Sequence, residues 1–163
     1  MIDELDIKII ELLEKNGRTQ YNDIAGIVGL RPPSVIERIK KLEEKGVIRG
    51  YRVLLDEKCL GIDITAFIGV NVNHPKNIKQ FELQIKKIGN EILECHHVTG
   101  DYTLILKVKT KNTQTLEKLI DKIRGVKGVI RTYTMVVFST IREQSALPVE
   151  LLKNYASLKK AEK

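Results

Sequence analysis

Residues 21–46 read YNDIAGIVGLRPPSVIERIKKLEEKG, and two helical periods meet in them across a glycine. Ile24, Ala25 and Val28 recur at the spacing of one buried helix face, and Val35, Ile39 and Leu42 repeat at i, i+4, i+7 in a second. The spacing predicts one helix starting near Tyr21-Asn22 and stopping at Gly29. It predicts another starting at Pro32 or Pro33, running to about Lys45 and stopping at Gly46. Proline is tolerated in the first turn because the amide it lacks has no helical partner there. Two helices joined by a four-residue turn containing glycine, the second of them basic, form the helix-turn-helix pattern.

Upstream, Leu5, Ile9, Leu12 and Leu13 recur at helical spacing, with Ile2 ahead of them. Asp3 is a fair N-cap, Asp6 three residues later makes a loose capping box, and Asn16-Gly17 stops the helix. Downstream, Val47–Leu54 alternates in character and predicts a wing or a linking strand.

Charge follows the same division. Residues 1–30 carry three basic and six acidic side chains, whereas residues 31–52 carry seven basic and three acidic. The third helix would present Ser34, Glu37, Arg38, Lys40 and Lys41 outward, and its first turn offers free amides and a positive dipole end to a phosphate. Its cations supply salt-dependent affinity, and residues near its start reach base edges in the major groove. The competing reading is a solvated helix face of alternating charge in a three-helix domain with no nucleic-acid role.

From about Thr65 the period becomes strand-like. The pattern predicts a strand at Thr65–Asn73, a helix at Ile78–Ile88, strands at Glu91–Thr99 and Tyr102–Lys109, a helix at Thr113–Ile123 and a strand at Val129–Phe138. The order β-α-β-β-α-β is the ferredoxin-like arrangement, an antiparallel sheet with both helices on one face. The fold class is therefore α+β. The domains are a helix-turn-helix (winged-helix-like) domain at 1–50, a linking strand or hinge at 51–64, a ferredoxin-like domain at 65–142 and an amphipathic tail helix at 143–163. Phe67, Val98, Ile105, Ile130, Val136 and Phe138 are assigned to the sheet face opposite the helices. An open apolar face of that kind is rarely left wet, and a second copy of the chain is its simplest cover.

Together these residues resemble the Lrp/AsnC, or feast/famine, family of transcriptional regulators. Leu5-Asp6, Ile9-Ile10 and Leu13 resemble the family opening, and Asn16-Gly17-Arg18 precedes Asp23-Ile24-Ala25 as in its first turn. Val28-Gly29-Leu30, Val35, Arg38-Ile39, Leu42-Glu43, Gly46-Val47-Ile48 and Gly50-Tyr51 match the recognition helix and its exit. Glu94-Cys95-His96 with Val98-Thr99-Gly100-Asp101-Tyr102 resembles the most specific family signature, and Gly128-Val129 leading to Thr132 and Val136-Val137 resembles the last strand.

The resemblance implies a dimeric binder of double-stranded DNA, with Arg18, Arg31, Ser34, Glu37, Arg38, Lys40 and Lys41 as candidate contacts. It also implies assembly to tetramers or octamers and a small effector, usually an amino acid, held near the turn between the second and third strands. By position that site is Val98, Thr99, Gly100, Asp101, Tyr102 and Thr103, with Thr134 and Met135 nearby. Gly100 permits close approach, and Asp101 can pair with an α-ammonium group. The other reading of Gly100-Asp101 is a plain hairpin turn. Two positions depart from the family pattern. Arg31 stands where serine commonly caps the recognition helix, a loss of about 1 kcal/mol, and Thr103 stands where an aspartate often follows Gly-Asp-Tyr.

The whole chain has 163 residues and a net charge of +7. No apolar run reaches the ~20 residues of a membrane span. The acidic start enters a helix without a secretory leader, and two cysteines make no disulfide framework, so the expected place is the cytoplasm. Phosphate loops and dinucleotide glycine fingerprints are absent from the sequence. Cys95 and His97 alone share a strand side, too few ligands for structural zinc, and Cys95 is expected to be buried. No nucleophile–base pair is visible, so neither catalysis nor a cofactor is expected. Two other readings use the same pattern: an architectural DNA-packing protein, and an amino-acid-sensing subunit of a metabolic enzyme.

Overall fold

A computed structural model describes residues 2–143 and divides the chain into two compact units. The tail helix expected at 143–163 lies, beyond its first residue, outside the described residues.

The first unit is built from α1 (Glu4–Lys15), α2 (Tyr21–Val28) and α3 (Pro32–Glu44). Ile9, Ile24, Val35 and Ile39 form its core, with Leu13, Ala25 and Val28 around them. The turn between α2 and α3 is three residues long. Gly29 takes a left-handed φ of 71° there, which an L side chain adopts only at a cost. Arg31 is the N-cap of α3 without a side-chain cap bond, so its carbonyl alone anchors the helix start, accepting from Ser34 N at 2.9 Å. Residues 47–54 form no strand, and the unit consists of three helices among the described residues. Tyr51 anchors this exit segment through a 3.0 Å hydrogen bond to Glu43 Oε1. Partial burial, and then the Glu43 carboxylate, push its phenol up to about 12.

The second unit holds β1 (Ile64–Val72), α4 (Lys76–Ile88), β2 (Ile92–His97), β3 (Leu104–Thr110), α5 (Thr113–Arg124) and β4 (Val129–Val136). The strands form one antiparallel sheet in the order β2-β3-β1-β4, the ferredoxin-like topology. Residues 51–63 ahead of β1 run irregularly, with one 3-10 turn at Lys58–Leu60. Lys109 on β3 ion-pairs with Glu57 of that segment.

Strand alternation sorts the sheet into two faces. Ala66, Ile68 and Val70 of β1 and Leu104, Leu106 and Val108 of β3 pack against Phe81 and Ile85 of α4 and Leu116, Leu119 and Ile123 of α5. The other face carries Phe67, Ile105, Tyr133 and Met135. The register corrects the sequence reading here. Val136 pairs with Ala66 and so points to the helix side, whereas Met135 pairs with Phe67 on the open side. Ile130 falls at an irregularity between Asn71 and Val72, where the alternation is broken. Cys95 is also corrected: it is exposed on the edge strand β2, paired with Leu106. Partial desolvation and the Glu82 carboxylate push its thiol up.

Asn112 caps α5, accepting from Thr115 N at 2.9 Å, while Thr115 Oγ1 accepts from Asn112 N at 3.1 Å. Asn112→Ala is expected to lower stability by about 1 kcal/mol in urea unfolding, as loss of such a cap does.

Candidate nucleic-acid interface and ligand cleft

The exposed side of α3 follows from its buried side. With Val35, Ile39 and Leu42 inward, Arg31, Ser34, Glu37, Lys40 and Lys41 stand in solvent. Lys41 Nζ lies 2.6 Å from Glu37 Oε1 and Lys40 Nζ 3.8 Å from Glu44 Oε1, both i,i+4 pairs. Such exposed pairs contribute little and open readily to a competing phosphate. Arg18 is exposed in the turn after α1, where its amide donates to Asn16 Oδ1 at 3.0 Å.

Arg38 is placed differently. Its Nη1 lies 2.7 Å from Asp3 Oδ2 and 2.7 Å from Asp6 Oδ1. The other oxygen of each carboxylate closes the capping box of α1: Asp6 N donates to Asp3 Oδ1 at 2.8 Å and Asp3 N to Asp6 Oδ2 at 3.1 Å. Asp6 is buried, and Arg38 supplies its counter-charge. Hydrogen bonds to Asp3 and then Asp6 raise the Arg38 pKa. Partial burial raises that of Asp3, but the Asp6 amide and Arg38 outweigh it and hold it below the usual 3.8. The sequence placed Arg38 among the outward cations. The structure commits it to the start of α1, where it orients α3.

In the second unit, a cleft of about 280 Å³ opens on the uncovered sheet face, lined by Gly69, Asn71, Asp101, Tyr102, Arg131 and Tyr133. Asn71 fastens the β2–β3 turn to β1. Its Nδ2 donates to Asp101 O at 3.0 Å, and its Oδ1 accepts from Thr103 N at 3.0 Å. Gly100 makes the turn with a φ of 108°. The Tyr102 ring lies so close over Gly69 that a Cβ there would sit 2.6 Å from a ring carbon. Tyr102 and Tyr133 are 6.1 Å apart between ring centroids, and the Arg131 guanidinium lies 5.5 Å from the Tyr133 centroid. The cleft therefore offers a carboxylate, a guanidinium held by a cation–π contact and two aromatic walls.

Residues 65–147 match a family model described as the Lrp/AsnC ligand binding domain, and residues 2–49 match one described as winged helix-turn-helix DNA-binding. The chain belongs to the Lrp/AsnC family. It is similar to the HTH-type transcriptional regulator FL11 of Pyrococcus abyssi, 37% identical over 91% of this chain and 97% of that one. Its fold is similar to that of a Neisseria meningitidis transcriptional regulator solved as a complex with L-methionine. That likeness has a TM-score of 0.87 and 27% identity, and covers 93% of this chain and 99% of that one. Escherichia coli AsnC is similar too, with a TM-score of 0.84 and 30% identity over 91% of this chain and 99% of that one. The chain is thus a DNA-binding transcriptional regulator of the Lrp/AsnC family, and the relatives it matches are named as regulators.

Of the positions that the family resemblance placed at the effector, Asp101 and Tyr102 line the cleft, and Gly100 and Thr103 shape the turn beneath it. Val98 closes the same turn by donating to Thr103 O at 3.1 Å, and Thr99 is exposed within it. Thr134 pairs with Ile68 and points to the helix side, away from the cleft. Met135 shares the open face, beside Phe67. Sequence reasoning missed Gly69, Asn71, Arg131 and Tyr133. The available signal was the register: β1 and β4 are neighbours, and Gly69 faces Tyr133 while Asn71 faces Arg131.

The described helices include none long and apolar enough to cross a membrane. Cys95 and His97 share the helix side of β2, and His96, on the open side, lies 3.1 Å from Glu94 Oε2.

Two outcomes follow from the Arg38 geometry. Arg38→Ala is expected to weaken operator binding by loosening the orientation of an α3 that stays folded on its core, with the slope of log affinity against log salt unchanged; a lost phosphate contact would instead lower that slope by about 0.9. The Asp3 contribution is present above its unfolded pKa and is lost as pH falls through its lower folded value. Wild-type stability is therefore expected to fall as the pH drops through the ordinary 3.8 of this carboxyl and below it, and Asp3→Asn to flatten that fall in urea titrations.

Proposed function

We propose that this regulator binds its operator as a homo-oligomer and that a free amino acid in the Asp101–Arg131 cleft modulates that binding. The observation that carries the reading is the composition of the cleft. Asp101 and Arg131 line one small space, so an α-ammonium and an α-carboxylate each find an opposite charge. Tyr102 and Tyr133 flank the same space and offer apolar walls to the side chain. The Neisseria meningitidis neighbour, a complex with L-methionine, supports the ligand class.

Oligomerisation is supported by the open sheet face. Phe67, Tyr133 and Met135 are 37%, 50% and 39% exposed on it. A second copy laid on that face buries them and covers the cleft, so an occupied cleft can alter how two copies meet. In this reading Arg31 and Ser34, exposed at the start of α3, contact base edges, and Lys40 and Lys41 contact the backbone. Operation in the cytoplasm fits a protein that meets DNA and free amino acids together.

The test is a thermal-shift screen of the free amino acids, combined with operator binding. At least one amino acid is expected to raise the melting temperature, and Asp101→Ala is expected to remove that response while leaving operator affinity within twofold of wild type. A full response in Asp101→Ala would overturn the site. Light scattering on dilution tests the assembly, and a monomer at all concentrations would remove it.

A further inference from the structure

The two helices over the sheet carry more positive charge than the fold uses. α4 and α5 together hold seven basic and three acidic residues. Residues 1–54, which include the base-reading helix, hold ten basic against nine acidic. The cations of α3 are engaged locally, Lys40 with Glu44, Lys41 with Glu37, and Arg38 with Asp3 and Asp6. On the open sheet face, Lys107 meets Glu94 and Lys109 meets Glu57. Lys76, Lys79, Lys86, Lys87 and Lys118 have no ion-pair partner among the described residues, and all five are exposed.

These lysines share one side of the layer. α4 buries Phe81 and Ile85, so its 3.6-residue period turns Lys76, Lys79, Lys86 and Lys87 away from the sheet. α5 buries Leu116, Leu119 and Ile123, which turns Lys118 and Lys122 outward. Lys122 Nζ donates to Ile88 O at 3.3 Å and ties this side of α5 to the end of α4. The basic stripe lies chiefly on α4 and reaches α5 through Lys118 and Lys122, which share the outer face of that helix with Glu117 and Asp121.

Helix electrostatics accounts for only half of it. Lys86 and Lys87 lie in the last turn of α4, and Lys122 in that of α5, where the macrodipole favours cations. Lys76 and Lys79 lie at the start of α4, where the dipole opposes them, and neither helix has an acidic residue in its first turn. An external anion relieves that repulsion.

The charge distribution points to the outer α4–α5 layer as a second binding surface, one that takes the sugar–phosphate backbone of duplex DNA. This rests on the reading of the chain as a DNA-binding regulator. A duplex presents one charge per ~1.7 Å of axis, a matching row for lysines at any sequence. Lysine suits that role, being a point charge without the fork that reads a base edge. Neither helix exposes an aromatic ring on which single-stranded bases stack. Leu83, 71% exposed, is the one large apolar side chain within the α4 stripe, too little apolar area for insertion into a lipid interface. This contact adds a sequence-independent, salt-dependent component to the affinity for DNA.

The test compares full-length wild type with the combined variant Lys79→Gln, Lys86→Gln, Lys87→Gln, Lys118→Gln, on a mixed-sequence duplex several helical turns long, across a salt series. The variant is expected to melt as wild type does and to bind at least tenfold more weakly at low salt. Its slope of log affinity against log salt is expected to be shallower by up to about 3.6, at ~0.9 for each of four phosphate contacts. An unchanged slope overturns the proposal. So does an unchanged slope joined to lost binding of phosphatidylserine vesicles, which would make the layer a membrane surface. A third protein, Arg31→Ala with Ser34→Ala, separates the two readings. It is expected to lose operator preference and keep the slope set by the α4–α5 lysines. If wild type shows no operator preference but the lysine-dependent slope persists, the regulator reading falls and this surface stands.

Discussion

One guanidinium joins the recognition helix to the rest of its unit. Arg38 reaches from the middle of α3 to Asp3 and Asp6, and those carboxylates spend their remaining oxygens on the capping box that starts α1. Helix start, buried charge and helix orientation are thus satisfied by one set of bonds. The hydrophobic core of Ile9, Ile24, Val35 and Ile39 holds the helices together, but apolar contact is non-directional and tolerates small rotations. A charge-assisted bond does not, because its geometry is short and directional. The exposed direction of Arg31 and Ser34 therefore depends on where Arg38 is held.

The second unit shows the same economy in its central strand. β1 alternates Ala66, Ile68 and Val70 on the helix side with Phe67, Gly69 and Asn71 on the other. The first set makes the core. The second seats the Phe67 ring on the open face, gives the Tyr102 ring its bed on Gly69 and fastens the β2–β3 turn through Asn71. Core and cleft are the two sides of one nine-residue strand. On the open face Lys107 and Lys109 are ion-paired, whereas Lys79, Lys86, Lys87 and Lys118 of the outer helix layer have no ion-pair partner among the described residues.

Much of this was legible in the residues. Gly29 and the Pro32-Pro33 pair marked the turn and the start of α3, and the switch from period 3.6 to period 2 near Thr65 marked the second unit. The Asp3–Asp6 capping box was visible as a spacing, yet Arg38, its third member, lies 32 residues beyond Asp6. Within α3 it reads as one outward cation among several. Alternation within β4, read without its partner strand, puts Val136 on the open face, and the family resemblance alone puts Thr134 at the effector. Pairing with Ala66 and Ile68 settles their side, since a shift of one residue exchanges the faces of a strand. Cys95 reads as a buried cysteine beside strand histidines, but β2 is an edge strand with a neighbour on one side only.

The sequence by itself determined the elements, their order, the basic character of α3 and the turn that carries Asp101. Each of these is local, set by spacing, capping and backbone preference within a few residues. Only the tertiary structure decided that Arg38 turns to the start of α1, that Gly69, Asn71, Arg131 and Tyr133 meet Asp101 and Tyr102, and that Lys79, Lys86, Lys87 and Lys118 share one layer. Those facts depend on strand order and register, which bring together side chains tens of residues apart, and the local period of a chain carries no record of its partner.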